Sequence, residues 1–493
     1  MKKITFLILT LFFTFQALSQ NETDALRYSQ HNIFGTTKFT SMGGSFGALG
    51  ADFSCLSYNP AGISLYQNSE LTISPNITNI TTTSYLNSNK NTNYTLSGNF
   101  SNLGYITSAS NNNKQWTRIN WGAGFNLTSD FKNAYIIQSE NNYSSLSDLL
   151  LEQANGNTID NLNSFGAGPA FWSDLIDLEN NLVDTITNWY AFDNGNYISN
   201  VNSLSNKTQT KSIVSDGEMG EAVFSMGTTY EDKIYIGATI GIPTIEYRQI
   251  STYTENRFED TSFSVNNFTY NEDLLAYGSG INIKIGGIIR IGENTKIGGA
   301  VHSPSYISIE EEYTTSIQTE FNNGTSISES SPLGYFNYNI ITPWKAIASI
   351  STILNKESSI LPKIILNADI EQTDYSFTRM YSDYYQFSDE NEAINTLYGT
   401  ATNIRIGGET LIYPFKIRAG YALYGSPLKD FAEYQNVTYS CGLGVDFSNV
   451  FFDIGYSINH NKTNESMYNP DEEPNAILNS KRAQAICTFG FRF

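Results

Sequence analysis

Residues 481–493 read KRAQAICTFGFRF, and their alternation decides the fold. Ala483, Ala485, Cys487, Phe489, Phe491 and Phe493 share one face. Arg482, Gln484, Thr488, Gly490 and Arg492 share the other, with Ile486 the exception. A period of two sends alternate side chains to opposite sides of a β-strand. Apolar residues toward lipid and polar ones toward water are what a transmembrane barrel strand needs. There a Lys or Arg on the lipid side costs roughly 2–4 kcal/mol at the midplane.

Working back from the C-terminus, the pattern recurs. Val437, Tyr439, Leu443, Val445 and Phe447 oppose Thr438, Ser440, Gly442, Gly444 and Asp446. Ile281, Ile283, Ile285 and Ile289 oppose Asn282, Lys284, Gly286 and Arg290. Strands are expected at 70–86, 91–108, 116–131, 213–229, 232–256, 262–291, 295–321, 335–354, 360–383, 397–412, 415–426, 436–448, 450–468 and 481–493. That makes 14, and bacterial single-chain barrels have even strand numbers. Joins after even-numbered strands are tight, as at Tyr230-Glu231, Gly292-Glu293-Asn294, Tyr413-Pro414 and Asn449. Joins after odd-numbered strands are longer: 132–212, 322–334, 384–396, 427–435 and 469–480. Short turns on one side and long loops on the other match periplasmic turns and extracellular loops. The expected fold is all-β, a transmembrane antiparallel β-barrel of 14 strands over residues 69–493.

Composition agrees. The 493 residues carry 15% charged and 14% aromatic side chains with a formal net charge of −20. An acidic chain repels phosphates, so nucleic acid is excluded as a partner. The mean hydropathy of −0.29 is uninformative, because alternation hides the hydrophobicity of a barrel. At the N-terminus, Lys2-Lys3, the apolar run 4–15 and Ala17-Leu18-Ser19 read as a secretory signal peptide over 1–19. No cysteine follows the expected cleavage before Gln20, and no later run is apolar enough for a membrane helix. Cys55, Cys441 and Cys487 form neither a disulfide framework nor a metal set.

Residues 42–65, MGGSFGALGADFSCLSYNPAGISL, break both the helical and the strand period with five glycines and a proline. Segment 20–68 therefore reads as a plug enclosed by the barrel, with Gly43, Gly44, Asn59, Pro60, Ala61 and Gly62 as its gate residues. The 132–212 loop carries short helices: Ser145 begins one with Asp148 three residues on, and Gly156 ends it. A second helical segment runs from Phe171 to Leu178, with Trp189-Tyr190 beyond it. Either these apolar faces pack on one another and on the rim, or Leu149, Leu150, Phe171 and Trp172 form an extracellular groove for a hydrophobic ligand.

The chain resembles the FadL-type outer-membrane transporters of long-chain fatty acids and other hydrophobic compounds. The resemblance is carried by Ser41-Met42-Gly43-Gly44-Ser45-Phe46-Gly47-Ala48 running into Tyr58-Asn59-Pro60-Ala61-Gly62. Thr342-Pro343-Trp344-Lys345, Asn403-Ile404-Arg405-Ile406-Gly407-Gly408-Glu409 and Arg418-Ala419-Gly420-Tyr421 support it. It implies a Gram-negative outer-membrane location and an N-terminal hatch inside the barrel. It also implies passive movement of ligand from an extracellular groove to an internal site, then sideways through the wall. The expected partners are a hydrophobic small molecule, outer-membrane lipids and the barrel assembly machinery, to which a terminal Phe strand is presented; the expected state is a monomer. PorV-type barrels of type IX secretion share the fold and a related Asn-Pro-Ala stretch, which leaves a secretion scaffold as the rival reading.

No catalysis or cofactor is expected. Gly43-Gly44-Ser45-Phe46-Gly47 fits G-x-S-x-G, but His31, His302 and His460 have no triad context, and no phosphate loop or metal cluster is visible. Lumen-facing charges are expected to form a ladder: Asp369 and Glu371 on strand nine, Arg405 and Glu409 on ten, Lys416 and Arg418 on eleven. The ladder either scaffolds the plug or offers Arg405, Lys416 or Arg418 to a ligand carboxylate.

Overall fold

A computed structural model describes residues 21–110, 115–179, 196–356, 362–429, 436–468 and 475–493. The expected signal peptide and Trp189-Tyr190 lie outside the described residues.

The strands form a closed antiparallel barrel of 14. They are β1 (Glu70–Leu86), β2 (Asn89–Ser110), β3 (Trp116–Asp130, continued by Asn133–Asn141), β4 (Lys207–Tyr230) and β5 (Ile234–Asn256). Next come β6 (Val265–Ile291), β7 (Thr295–His302 and Tyr306–Phe321), β8 (Gly334–Ile341 and Lys345–Leu354) and β9 (Lys363–Asp374, continued by Arg379–Tyr381). The last are β10 (Thr400–Ile412), β11 (Phe415–Tyr424), β12 (Asn436–Phe447), β13 (Val450–Glu465) and β14 (Ala476–Arg492). Pairing of β14 with β1, from Glu70↔Arg492 to Tyr85↔Ile477, closes the ring.

The two faces have the polarity of a membrane barrel rather than a soluble one. Ile285 is 59% exposed, whereas Lys284 beside it is 3% exposed. Phe415, Leu443, Phe447 and Phe491 likewise stand outward, while Asp369, Glu409 and Arg418 are buried inside. Only lipid makes exposed isoleucine and phenylalanine favourable at this density, so the strands span a membrane. Edge-on rings rim one end, as between Trp116 and Tyr230 at 5.1 Å.

The strand bounds differ from expectation mainly on the extracellular side. Asn133–Asn141 continues the ladder along Lys207 to Ser215 of β4, so the helical insertion spans 142–206 rather than 132–212. Its apolar residues, Tyr135 and Ile137, point inward into the core under the loop. The polarity there is inverted, and an apolar-outward rule does not find it. The insertion carries α4 (Leu146–Ala154) and α5 (Ala167–Trp172); the β9–β10 connection carries α6 (Ser388–Leu397). Ser145 and Asp148 form the expected capping box on α4, and Glu255 of β5 accepts from Ser145 Oγ at 2.8 Å and Leu146 N at 2.9 Å.

The N-terminal segment fills the lumen with α1 (Glu22–Ser29), α2 (Thr37–Ser41), α3 (Cys55–Tyr58) and a 3-10 turn over Pro60–Leu65. It fits because the wall yields space at its height. A Cβ at Gly237 of β5 would meet Pro60, at Gly286 of β6 Asn59, at Gly298 of β7 Gly47, at Gly407 of β10 Met42, and at Gly420 of β11 Gly43. The inward faces of these strands carry hydrogen instead of a side chain wherever the hatch backbone touches them. Gly286→Val should therefore unseat the hatch, while Gly287→Val, next to it with open space around its Cβ, should not. The expected readout is vancomycin sensitivity from the first variant alone, with both keeping heat-modifiable gel mobility.

Candidate functional site

Between Ser41 and Tyr66 the hatch has little secondary structure, so its buried amides and carbonyls need outside partners. The wall supplies them as side chains. Ser440 of β12 accepts from Gly43 N at 3.1 Å and donates to Ser41 O at 3.0 Å. Asp369 of β9 accepts from Gly47 N at 3.0 Å, and Lys296 of β7 donates to Leu49 O at 2.7 Å. Asn120 of β3 donates to Ile63 O at 2.7 Å and Tyr66 O at 3.0 Å, and Thr229 of β4 to Ser64 O at 2.8 Å.

The expected gate residues divide by role. Asn59 is the knot: its Oδ1 accepts from Ala61 N at 3.1 Å, and its Nδ2 donates to Gly47 O at 2.5 Å and to Gly287 O of β6 at 3.5 Å. It caps the 3-10 turn that Pro60 starts, and so ties both halves of the hatch together. Gly43 and Gly44 take φ of +65° and +72°, a region that side chains disfavour. Ala61 and Gly62 are fully buried beside this turn. Ser45, within the G-x-S-x-G match, spends its hydroxyl on Met42 O at 2.8 Å.

The lumen charges form pairs, with partners partly outside the expected set. Arg405 bridges to Glu371 at 3.1 Å, donates to Tyr58 OH of the hatch and lies 4.9 Å from that ring's centroid. Arg418 lies between Glu409 at 2.5 Å and Asp453 of β13 at 2.9 Å. It reaches over β12 because Gly444 puts no side chain in the way. Lys416 pairs with Asp446 at 2.7 Å, which also meets Arg492 at 2.9 Å; Arg492 joins Glu70 across the closing strand pair at 3.0 Å. Lys284 pairs with Glu221, a bridge the sequence reading did not anticipate.

The four expected groove residues separate. Leu150 and Phe171 are buried in the core under the loop, and Leu149 packs against it. Leu149 and Leu150 edge a hollow of 100 Å³. Trp172 is exposed over a separate groove of 320 Å³ with Pro169 and Pro332.

The large cavity lies deeper. It measures 530 Å³ and runs from a mouth of Asn461, Asn464 and Pro427 down to Tyr58, His302 and Lys345, with Asn126, Leu127 and Thr128 of β3 on one side. Sequence reading missed it because its walls come from the hatch and from many strands at once. Arg405→Met, which leaves Glu371 charged and unpaired at its floor, should cost about 3–5 kcal/mol. Arg405→Met/Glu371→Met should recover most of that loss in urea unfolding from lipid vesicles.

No family model and no curated protein matches this chain. Solved structures do. The toluene transporter TodX of P. putida superposes with a TM-score of 0.51 at 11% identity, over 94% of this chain and 99% of that one. A FadL homologue of Pseudomonas aeruginosa gives 0.51 and 11%, over 94% and 100%. At such identity the likeness is one of architecture: a hatch-plugged barrel matched along nearly its whole length. The chain has the FadL-type outer-membrane barrel fold.

Proposed function

We propose that this protein is an outer-membrane channel for passive uptake of hydrophobic small molecules, long-chain fatty acids among them. The observation that carries the reading is the route the cavity takes. From its mouth it descends to the hatch and there reaches residues 126–128 of β3. The hatch, tied to the wall by the contacts above, blocks the straight path to the periplasm.

At the same height the wall changes. The β2–β3 ladder runs from Ser110↔Arg118 to Asn102↔Asn126 and stops. Beyond it β2 continues to Asn89 paired with β1 alone, while Asn133–Asn141 pairs with β4. Residues 89–101 of β2 thus present a strand edge with no ladder partner among the described residues. Side chains cross the gap instead, as from Asn99 Nδ2 to Asp130 Oδ2 at 3.4 Å and from Asn87 Nδ2 to Ser139 Oγ at 2.9 Å. The outward residues Tyr94, Leu96 and Phe100 are exposed and apolar, so this edge faces lipid. Unpaired backbone at membrane depth is tolerated where it lines a cavity.

In this reading a ligand leaves water at the mouth, settles above the hatch and passes out beside β2 into the outer leaflet. No bond is made or broken; the gradient drives uptake, and a single barrel holds the whole path. To test it, Cys55, Cys441 and Cys487 are first replaced, and Asn99→Cys/Asp130→Cys is bridged with a short thiol-specific cross-linker. Bridging should lower uptake of labelled oleate at least several-fold, and reductive release should restore it. Uptake indifferent to the bridge would rule out the side exit; uptake no different from a strain lacking the protein would rule out the channel.

A further inference from the structure

Three cations and two carboxylates meet at the floor of the cavity. Lys284 is held by Glu221, which also accepts from Asn282 Nδ2 at 2.9 Å and Ser57 Oγ at 2.8 Å. Arg405 is held by Glu371, whose other oxygen accepts from Asn403 Nδ2 at 2.7 Å. Lys345 of β8 lines the same cavity and is 8% exposed. Its ammonium has no hydrogen-bond or ion-pair partner among the described residues. The floor therefore carries one positive charge in excess. His302 is committed to Tyr58 O at 2.7 Å. His31, between α1 and α2, lines the cavity from the hatch side, and its imidazole has no partner among the described residues.

A buried ammonium is tolerable when solvated or paired, and costly when bare. Water in the empty cavity can solvate Lys345. A ligand that displaces this water must replace its hydrogen bonds, and a neutral hydrocarbon cannot. The expected contacts of a ligand carboxylate, Arg405, Lys416 and Arg418, already hold carboxylates of the protein. Lys345 is the cation left over. Above it Leu26, Phe34 and Leu127 offer apolar lining for a chain.

Resting on the reading of this cavity as the ligand's route, we infer that its floor is an anion subsite. Lys345 holds the head group of a monoanionic amphiphile, and His31 of the hatch is the second, proton-dependent contact. The groups that act on His31 are Lys345 from β8, Lys284 from β6, Glu221 from β4 and Glu371 from β9. His302 and Arg405 line the same space. Burial, and after it the charge of Lys345, hold the His31 imidazole well below its usual range, so it is neutral in the empty site at pH 7. An anion seated on Lys345 offsets that charge, and His31 then takes up a proton as the ligand binds. A ligand that raises a group's pKa binds more tightly as pH falls. Affinity should thus rise from pH 7 down to about 5, where the carboxylate of the ligand begins to titrate.

The test compares octanoate with octan-1-ol by calorimetry on the whole protein in phosphatidylcholine nanodiscs, corrected against empty discs. The wild type should bind octanoate about tenfold or more tightly than octan-1-ol. Lys345→Met and Lys345→Gln should erase that preference while leaving octan-1-ol affinity unchanged, and Lys345→Arg should keep it. Buffers of different ionisation heat should show proton uptake with octanoate in the wild type and none in His31→Asn, which should also lose the pH slope. Octan-1-ol bound as tightly as octanoate, or both weakened alike by Lys345→Gln, would overturn the anion subsite and leave the channel reading standing. An unchanged pH slope in His31→Asn would remove the role of His31. Binding of neither ligand would sink the channel reading and the subsite together.

Discussion

The structure depends on one requirement: the hatch backbone must be satisfied inside a barrel whose own backbone groups are consumed by its ladders. A buried amide or carbonyl without a partner costs about 1–3 kcal/mol. The wall answers in two ways. Inward glycines let the hatch approach, and inward Ser, Thr, Asn, Asp and Lys side chains bind its backbone, as Ser440, Asp369 and Asn120 do. These demands explain why the lumen face is rich in small and polar residues rather than filled with large ones. They also make the hatch a fixture. Sliding it past the wall would break many contacts at once and drive its backbone into strands that have no room.

The lumen ion pairs follow from the same economy of space. A buried pair contributes little net stability, because desolvation offsets much of its attraction. What the pairs do is fix registers. Arg492 locks the first strand to the last through Glu70, and Arg418 links β10 to β13 across the gap above Gly444. Arg405 joins the wall to the hatch through Tyr58. Charge is thus spent on holding the hatch and the ring closed. Lys345 stands apart because nothing around it needs it.

Much of this was legible in the chain. Alternation in residues 481–493 and 436–448, and the sidedness of turns such as Tyr413-Pro414 and Asn449, specify the barrel, because lipid penalises every departure from the pattern. The Gly-rich run ending in Asn-Pro-Ala-Gly marks the plug for a similar reason: so few side chains suit only an enclosed backbone. The pairings were harder. That Asp453 completes the Arg418 site depends on the missing side chain of Gly444 one strand away, a relation across three strands that no local pattern carries. Lys345 looked like the start of a strand. Its meaning appears only once Glu371 is seen to be taken by Arg405.

Two interruptions of the wall show why local sequence signals can mislead about openings. In β7 and β8 the breaks are announced by prolines, and Pro304 and Pro343 fall opposite each other, since His302 pairs with Lys345 and Tyr306 with Ile341. Hydroxyls and carbonyls repair the ladder there. Ser305 N donates to Thr342 Oγ1 at 2.8 Å, Thr342 N to Ser305 O at 3.0 Å, and Ile283 N to Ser303 Oγ at 3.0 Å. The break in β3 has no such herald, because Asp130-Phe131-Lys132-Asn133 contains neither Pro nor Gly. Across it lies residue 99, whose side chain meets Asp130, while the backbone of residues 89–101 finds no ladder on that side. Proline removes a donor, and evolution can supply a substitute nearby. A strand that turns away from its neighbour removes the whole row of partners at once, so the silent break, and not the conspicuous one, is where the wall can part.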